Sequence, residues 1–248
     1  MILTDERWRE LLHTRATNPG AIRQAYATRK RRPQLLSDQD TLFLVAADHE
    51  DLLDRRTLLE RLLVALENPA VDGVLGTPDI VEELLLLGAL HDKVVFGSMN
   101  RDDRFTGDDA RTLVDCGLDG GKMLLRLAGT AQTRQACADA VTELAAYGLV
   151  AMIELQEDPA SLARAVTIAS GLGTTSAHTW LKLPSPGSAA VLGATTLPVV
   201  LGDPPAADPE SWMLWHGVVR GLVMSHIRLS GNPRAAVEAA AKVLEAAK

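Results

Sequence analysis

Lysine is scarce in this chain: six lysines stand against nineteen arginines. Two of the six, Lys122 and Lys182, lie inside apolar runs, GKMLLRL and WLKLPSP. An ammonium in such a run is costly to desolvate unless it is paired or gives up its proton. A lysine that gives up its proton is a nucleophile, able to form a Schiff base with a carbonyl substrate. Two carboxylates stand in comparable runs, Asp48 after LFLVAA and Glu154 within LVAMIEL. They could move protons for such a nucleophile. They could equally neutralise the two lysines as interior ion pairs, and the spacing alone leaves both readings open.

The elements that would position these four residues repeat along the chain. Apolar runs at residues 41–47, 71–75, 93–97, 121–127, 149–155, 177–183, 197–202 and 221–227 alternate with helical periodicity at 53–66, 80–90, 108–116, 130–147, 159–171, 188–192, 209–220 and 233–247. Near-continuous apolar strands are buried on both faces, as in a parallel sheet. Eight such units predict an α/β fold, a (β/α)8 TIM barrel, over residues 41–248 as a single domain. Residues 1–40 are expected to form an N-terminal helical extension, two short helices broken at Asn18-Pro19-Gly20, with Thr4 or Asp5 as the first cap. A doubly wound sheet would need a glycine-rich turn after the first strand, where AADHE stands instead.

Barrels of this kind do their chemistry at the C-terminal ends of the strands. The polar residues there are Asp48, His49 and Glu50, then Thr77 and Asp79, Ser98 and Asn100, Lys122 and Arg126, Glu154 and Gln156, Lys182, Gly202 and Asp203, and finally Ser225, His226 and Arg228. Period-2 alternation can turn Asp48, Lys122, Glu154 and Lys182 inward together. His178 shares a strand face with Trp180 and Lys182 and reads as a satisfied buried histidine. A divalent ion on Asp48, Glu154 and a histidine would make a metal-dependent lyase or isomerase, but no His-x-His or His-x-x-Glu-His spacing supports it. No cofactor is expected.

A net charge of −7 argues against nucleic acid as partner, and few aromatics argue against a base-stacking surface. The amphipathic start MILTDERWRELL reads as no signal peptide, no apolar run reaches membrane-spanning length, and Cys116 and Cys137 read as free thiols in a reducing cytoplasm. The basic run 29–32 reads as a solvated face, and the leucines at 84–87 as core. Trp212 and Trp215, at helical spacing, read as packing or as a homo-oligomer contact.

At these residues the chain resembles the class I, Schiff-base-forming aldolases, which include fructose-bisphosphate, tagatose-bisphosphate and deoxyribose-phosphate aldolases. LFLVAADHE resembles their first strand, GKMLLRL the fourth with a second lysine, MIEL the fifth with a glutamate, and WLKLPSP the sixth with the Schiff-base lysine. The resemblance covers residues 41–229. It implies an aldehyde-lyase of carbohydrate metabolism acting on a small carbonyl, sugar or sugar-phosphate compound. By it Lys182 attacks the carbonyl, Glu154 assists dehydration, Asp48 handles a hydroxyl proton and Lys122 keeps Lys182 neutral. His49, Arg126, Ser98, Asn100, Gly202, Ser225 and Arg228 are the expected substrate contacts. Two positions depart from the family. Gly202-Asp203-Pro204-Pro205 replaces its glycine-rich turn, and Ser225-His226 its Gly-Arg. Proline nitrogens donate nothing to a phosphate, and Asp203 would repel one.

Overall fold

The computed structural model describes residues 2–36, 40–48, 54–184, 189–203 and 218–246. Eight parallel strands close into one barrel in sequence order. They are β1 (Leu42–Ala47), β2 (Gly73–Gly76), β3 (Val94–Ser98), β4 (Gly120–Leu125), β5 (Val150–Leu155), β6 (Thr179–Pro184), β7 (Val199–Gly202) and β8 (Val219–Ser225). Helices α1 (Asp5–Thr17) and α2 (Gly20–Thr28) precede the barrel. Around it run α3 (Arg55–Glu67), α4 (Pro78–Leu86), α5 (Ala110–Asp115), α6 (Ala131–Ala146), α7 (Pro159–Ser170), α8 (Ala189–Leu192) and α9 (Pro233–Ala246). The predicted fold class is the observed one.

Alternation along each strand divides the core in two. One alternate set, with Phe43, Val45, Ile153 and Leu181, joins the helices in one cluster. The other, with Leu44, Phe96, Met152, Trp180, Val200 and Val223, forms a separate cluster inside the barrel. With fully buried leucines and aromatics on both sides of the strand wall, the hydrophobic term holds the ring closed. Gly120 shows how tightly the interior is filled. A Cβ built there would lie 2.5 Å from the Phe96 ring, so the ring occupies the space a side chain would take.

The N-terminal side of the barrel corrects one expectation. Arg29 is buried, donating to the carbonyls of Lys93 (2.8 Å) and Gly117 and pairing with Asp119 at 3.5 Å. Asp119 in turn accepts from the Val95 N–H at 2.8 Å. Arg32 pairs with Asp72, whose other oxygen accepts the Phe43 N–H at 2.7 Å. Half of the basic run is therefore a set of clamps on the starts of β1, β3 and β4, not a solvated face. Composition could not show this, because the acceptors are carbonyls and carboxylates far away in sequence. Arg29→Ala removes a buried guanidinium and its donors to the Lys93 and Gly117 carbonyls, and a loss of about 3 kcal/mol of unfolding free energy in urea is expected.

Thr4 caps α1 by accepting from the Arg7 N–H at 3.3 Å. Three of the four leucines at 84–87 are buried, in agreement with the core reading. Strand eight starts two residues before the expected 221 and ends at Ser225, where a 3-10 turn over His226–Leu229 begins. Val219 and Arg220, assigned by periodicity to a helix, thus open a strand, with Val218 in the turn before it; residues 209–217 of that helix, with Trp212 and Trp215, lie outside the described residues. His178 precedes β6 at the barrel's N-terminal end, half-buried, so it lies opposite the rim and shares no strand face with Lys182. Cys116 and Cys137 are free thiols. Among the described residues no helix is long and apolar enough to cross a membrane.

Candidate active site

The inward-facing residues of the strands set the site. Two positions beyond Ala46, Phe96, Met152, Trp180, Val200 and Val223 stand Asp48, Ser98, Glu154, Lys182, Gly202 and Ser225. Lys122 lies between Gly120 and Leu124 on β4, paired in register with Ser98 and Met152. The same period of two that fills the interior with apolar side chains therefore ends, at the C-terminal mouth, in a polar layer.

That layer is one connected network. Lys122 Nζ lies 2.6 Å from Asp48 Oδ2 and 2.7 Å from Glu154 Oε2. Lys182 Nζ donates to the other Glu154 oxygen, Oε1, at 2.7 Å. Ser98 Oγ donates to Asp48 Oδ2 at 3.4 Å. All four charged side chains are buried, so the alternation of signs is what makes their burial tolerable. Burial alone would push the Glu154 carboxyl up, but Lys182 and Lys122 outweigh it and hold the group down at about 2. Burial would likewise lower Lys122, yet Asp48 and Glu154 prevail and its proton is held more tightly than usual. Lys122 is therefore a fixed cation. Glu154 stands between the two amines, one on each oxygen, so Lys122 reaches Lys182 through a shared carboxylate.

The depressed Glu154 group gives a pH prediction. Its folded value lies below the ordinary 4.5, so its stabilisation is complete above that value and is lost as pH falls towards 2. Urea unfolding between pH 7 and pH 2.5 should show a decline on the order of 3 kcal/mol, and Glu154→Gln should abolish that part of the decline.

The remaining expected contacts divide into two groups. Gly202 sits beside the nucleophile candidate: a Cβ there would lie 3.4 Å from Lys182 Cε. Ser225 is buried on the same inner layer, and its hydroxyl has no partner among the described residues. Ser98 joins Asp48, as above. Asn100 is buried but committed: its amide bonds the backbone N–H and C=O of Leu124 and the carbonyl of Asp102, tying the β3 loop to β4. Arg126 is exposed at the rim and donates to Gln156 Oε1 at 2.9 Å. Arg228 is exposed and donates to the Asp203 carbonyl at 3.3 Å. His49 lies outside the described residues.

Sequence reading missed the use of Asp203. It turns at φ 42° and its carboxylate accepts the Ser225 N–H at 2.7 Å, lacing β7 to β8. A carboxylate after a strand-ending glycine was visible as a signal, but its partner was not. No three His, Cys, Asp or Glu side chains gather as a metal site among the described residues. Asp48 and Glu154, the carboxylates a metal reading would use, are bridged by the Lys122 ammonium.

The sequence profile of the Cgl0159-like family matches residues 40–242. The chain belongs to that family. The crystal structure of Cgl0159 from Corynebacterium glutamicum is 35% identical to this Cgl0159-like chain over 98% of both, with a TM-score of 0.90. An archaeal fructose-1,6-bisphosphate aldolase, with its catalytic Lys covalently bound to the carbinolamine intermediate of the substrate, is 14% identical. It covers 91% of this chain and 98% of its own, with a TM-score of 0.63. A fructose-bisphosphate aldolase from Slackia heliotrinireducens is also 14% identical, covering 86% and 87%, with a TM-score of 0.61. At that identity the aldolases share the barrel fold with this chain, and the likeness extends no further. No curated protein matches.

Proposed function

We propose that this Cgl0159-like protein is a class I aldolase, an aldehyde-lyase whose Schiff base forms on Lys182. The observation that carries the reading is the hydrogen bond from Lys182 Nζ to Glu154 Oε1 at 2.7 Å, at the closed barrel's C-terminal mouth. A proton acceptor thus lies against the amine of the two that, among the described residues, is not clasped between two carboxylates. The barrel likeness to Schiff-base aldolases supports the same reading.

Glu154 relays a proton from the Lys182 nitrogen to the carbonyl oxygen as the amine adds to the carbonyl carbon of the substrate. The carbinolamine oxygen then leaves as water, Glu154 passing it a second proton from the nitrogen, and an iminium remains. Cleavage of the bond between the carbons α and β to the iminium sends its electron pair into the iminium, giving an enamine. The departing fragment becomes an aldehyde as its hydroxyl proton passes to a base. Asp48, anchored by Lys122, serves that step. Protonation of the enamine and hydrolysis return Lys182. Lys122 remains charged throughout and holds both carboxylates aimed inward. Gly202 leaves space beside Lys182, and Ser225 offers its hydroxyl to the substrate.

The test is borohydride reduction in the presence of dihydroxyacetone or dihydroxyacetone phosphate, followed by peptide mass mapping. A stable adduct on Lys182 is expected. An adduct on another residue, or none with a panel of ketone donors, removes the assignment.

A further inference from the structure

A cavity of about 830 Å³ lies between α2 and the C-terminal end of α5. Arg29, which lines it, holds the carbonyls of Lys93 and Gly117 just before β3 and β4. The cavity therefore belongs to the N-terminal side of the barrel, while Lys182 and Glu154 stand in the polar layer of the C-terminal mouth. Helix α2 buries none of its residues fully, and one face of it, with Ile22, Arg23 and Tyr26, lines this space.

The charges of the wall do not balance. Its two acids are already matched, Glu82 by Arg15 at 3.2 Å and Asp115 by Arg111 at 2.9 Å, and neither of those arginines lines the space. The arginines that do are Arg23, Arg29 and Arg31. Arg29 and Arg31 share one carboxylate, Asp119, at 3.5 and 3.1 Å, so one positive charge is left over. Arg23 is exposed and has no acidic partner among the described residues, which adds a second. Arg29 also carries a donor without an acceptor. Its side chain is 1% exposed and both terminal nitrogens are used, yet its Nε has no partner among the described residues. A buried donor left unmatched is costly, and a ligand oxygen would relieve that cost. Much of the remaining wall is apolar, with Pro19, Ile22, Ala27 and Val114. Burial pushes the Tyr26 phenol up, so it stays a donor beside them.

We infer that this cavity is a binding site for a phosphate monoester with an apolar or aromatic body, its dianion among Arg23, Arg29 and Arg31 and its body along Ile22 and Val114. Two left-over charges match a dianion, and guanidinium forks meet phosphate oxygens in pairs. The volume lies in the range of pockets for small organic ligands. A ligand there ties α2 to the turn before β4, which is a regulatory position and not a catalytic one. The inference stands apart from the Schiff-base reading, since no residue of the mouth lines the cavity.

The test is isothermal titration calorimetry at pH 8, where a phosphate monoester is a dianion, with phenyl phosphate, inorganic phosphate and phenol as probes. Phenyl phosphate should bind roughly tenfold tighter than either of the others, because it alone meets both the arginines and the apolar wall. Arg23→Glu reverses a charge at an exposed position, and Ala27→Trp fills the cavity from another. Each should weaken phenyl phosphate roughly tenfold while keeping a near-native urea midpoint. Lys182→Met should bind it as the native protein does. No binding of phenyl phosphate overturns the site, and so does equal affinity for inorganic phosphate, which would mean an ion held without the cavity. An affinity that either cavity variant leaves intact, or that Lys182→Met removes, puts the anion elsewhere and overturns it as well.

Discussion

Lys182→Met is expected to abolish the borohydride adduct and to lower carbon–carbon cleavage on the order of 10⁴-fold or more, the range seen when a covalent nucleophile is removed. The fold should survive the change. Methionine fills a similar volume, and Glu154 keeps Lys122 at 2.7 Å as its counter-ion. Lys182→Arg is the informative companion. It preserves the cation beside Glu154 but offers no amine that can form an imine. Equal loss of adduct in both variants, with near-native urea midpoints, assigns the effect to nucleophilicity. An adduct that persists in the Lys182→Met variant would sink the mechanism.

Lys122→Met has the largest expected effect on stability. Its ammonium lies between Asp48 and Glu154, and its side chain is only 3% exposed. Removing it takes away the ammonium that lies against both buried carboxylates. Stripping one partner from a buried charge network costs about 3–5 kcal/mol. Glu154 also loses one of the two cations that hold it low, so it should take up a proton at higher pH than in the native protein. The deficit measured by urea unfolding is therefore greatest at pH 7 and shrinks at pH 4, where protonation relieves the repulsion. A deficit independent of pH would mean that the loss is one of packing and that Lys122 does not organise the carboxylates. Imine trapping should fall about 10²-fold alongside, because Glu154 is no longer held in place for proton transfer.

The two variants separate the lysines by role. Both occupy apolar strands and look alike in sequence, yet one is clasped by two carboxylates and the other touches a single oxygen. In the proposed mechanism that asymmetry assigns the reacting amine to Lys182 and the fixed charge to Lys122.

Much of this was legible in the order of residues. Eight apolar runs separated by helical periodicity could only be buried strands of a parallel sheet, and eight of them close on themselves without edges. The alternation of LFLVAAD, MLL, MIEL and WLKL fixed which side chains turn inward, because a strand has a period of two whatever surrounds it. Asp48, Lys122, Glu154 and Lys182 meet as that rule requires. Local signals also narrowed the first cap to Thr4 or Asp5 and marked the leucines at 84–87 as core.

The tertiary structure decided what depends on distance between remote parts of the chain. Arg29 and Arg32 look like a solvated basic run, and only the closing of the barrel brings Asp119, Asp72 and the strand carbonyls to them. The Asn100 amide gives no sign in sequence of its bonds to Leu124, which exist because the β3 loop folds against β4. Asp203 looks like a charge facing the ligand until its carboxylate takes the Ser225 N–H. Periodicity is a property of one strand and is written in its residues. The partner of a charge or an amide is set by how separate strands and loops come together, and a linear chain does not carry that distance.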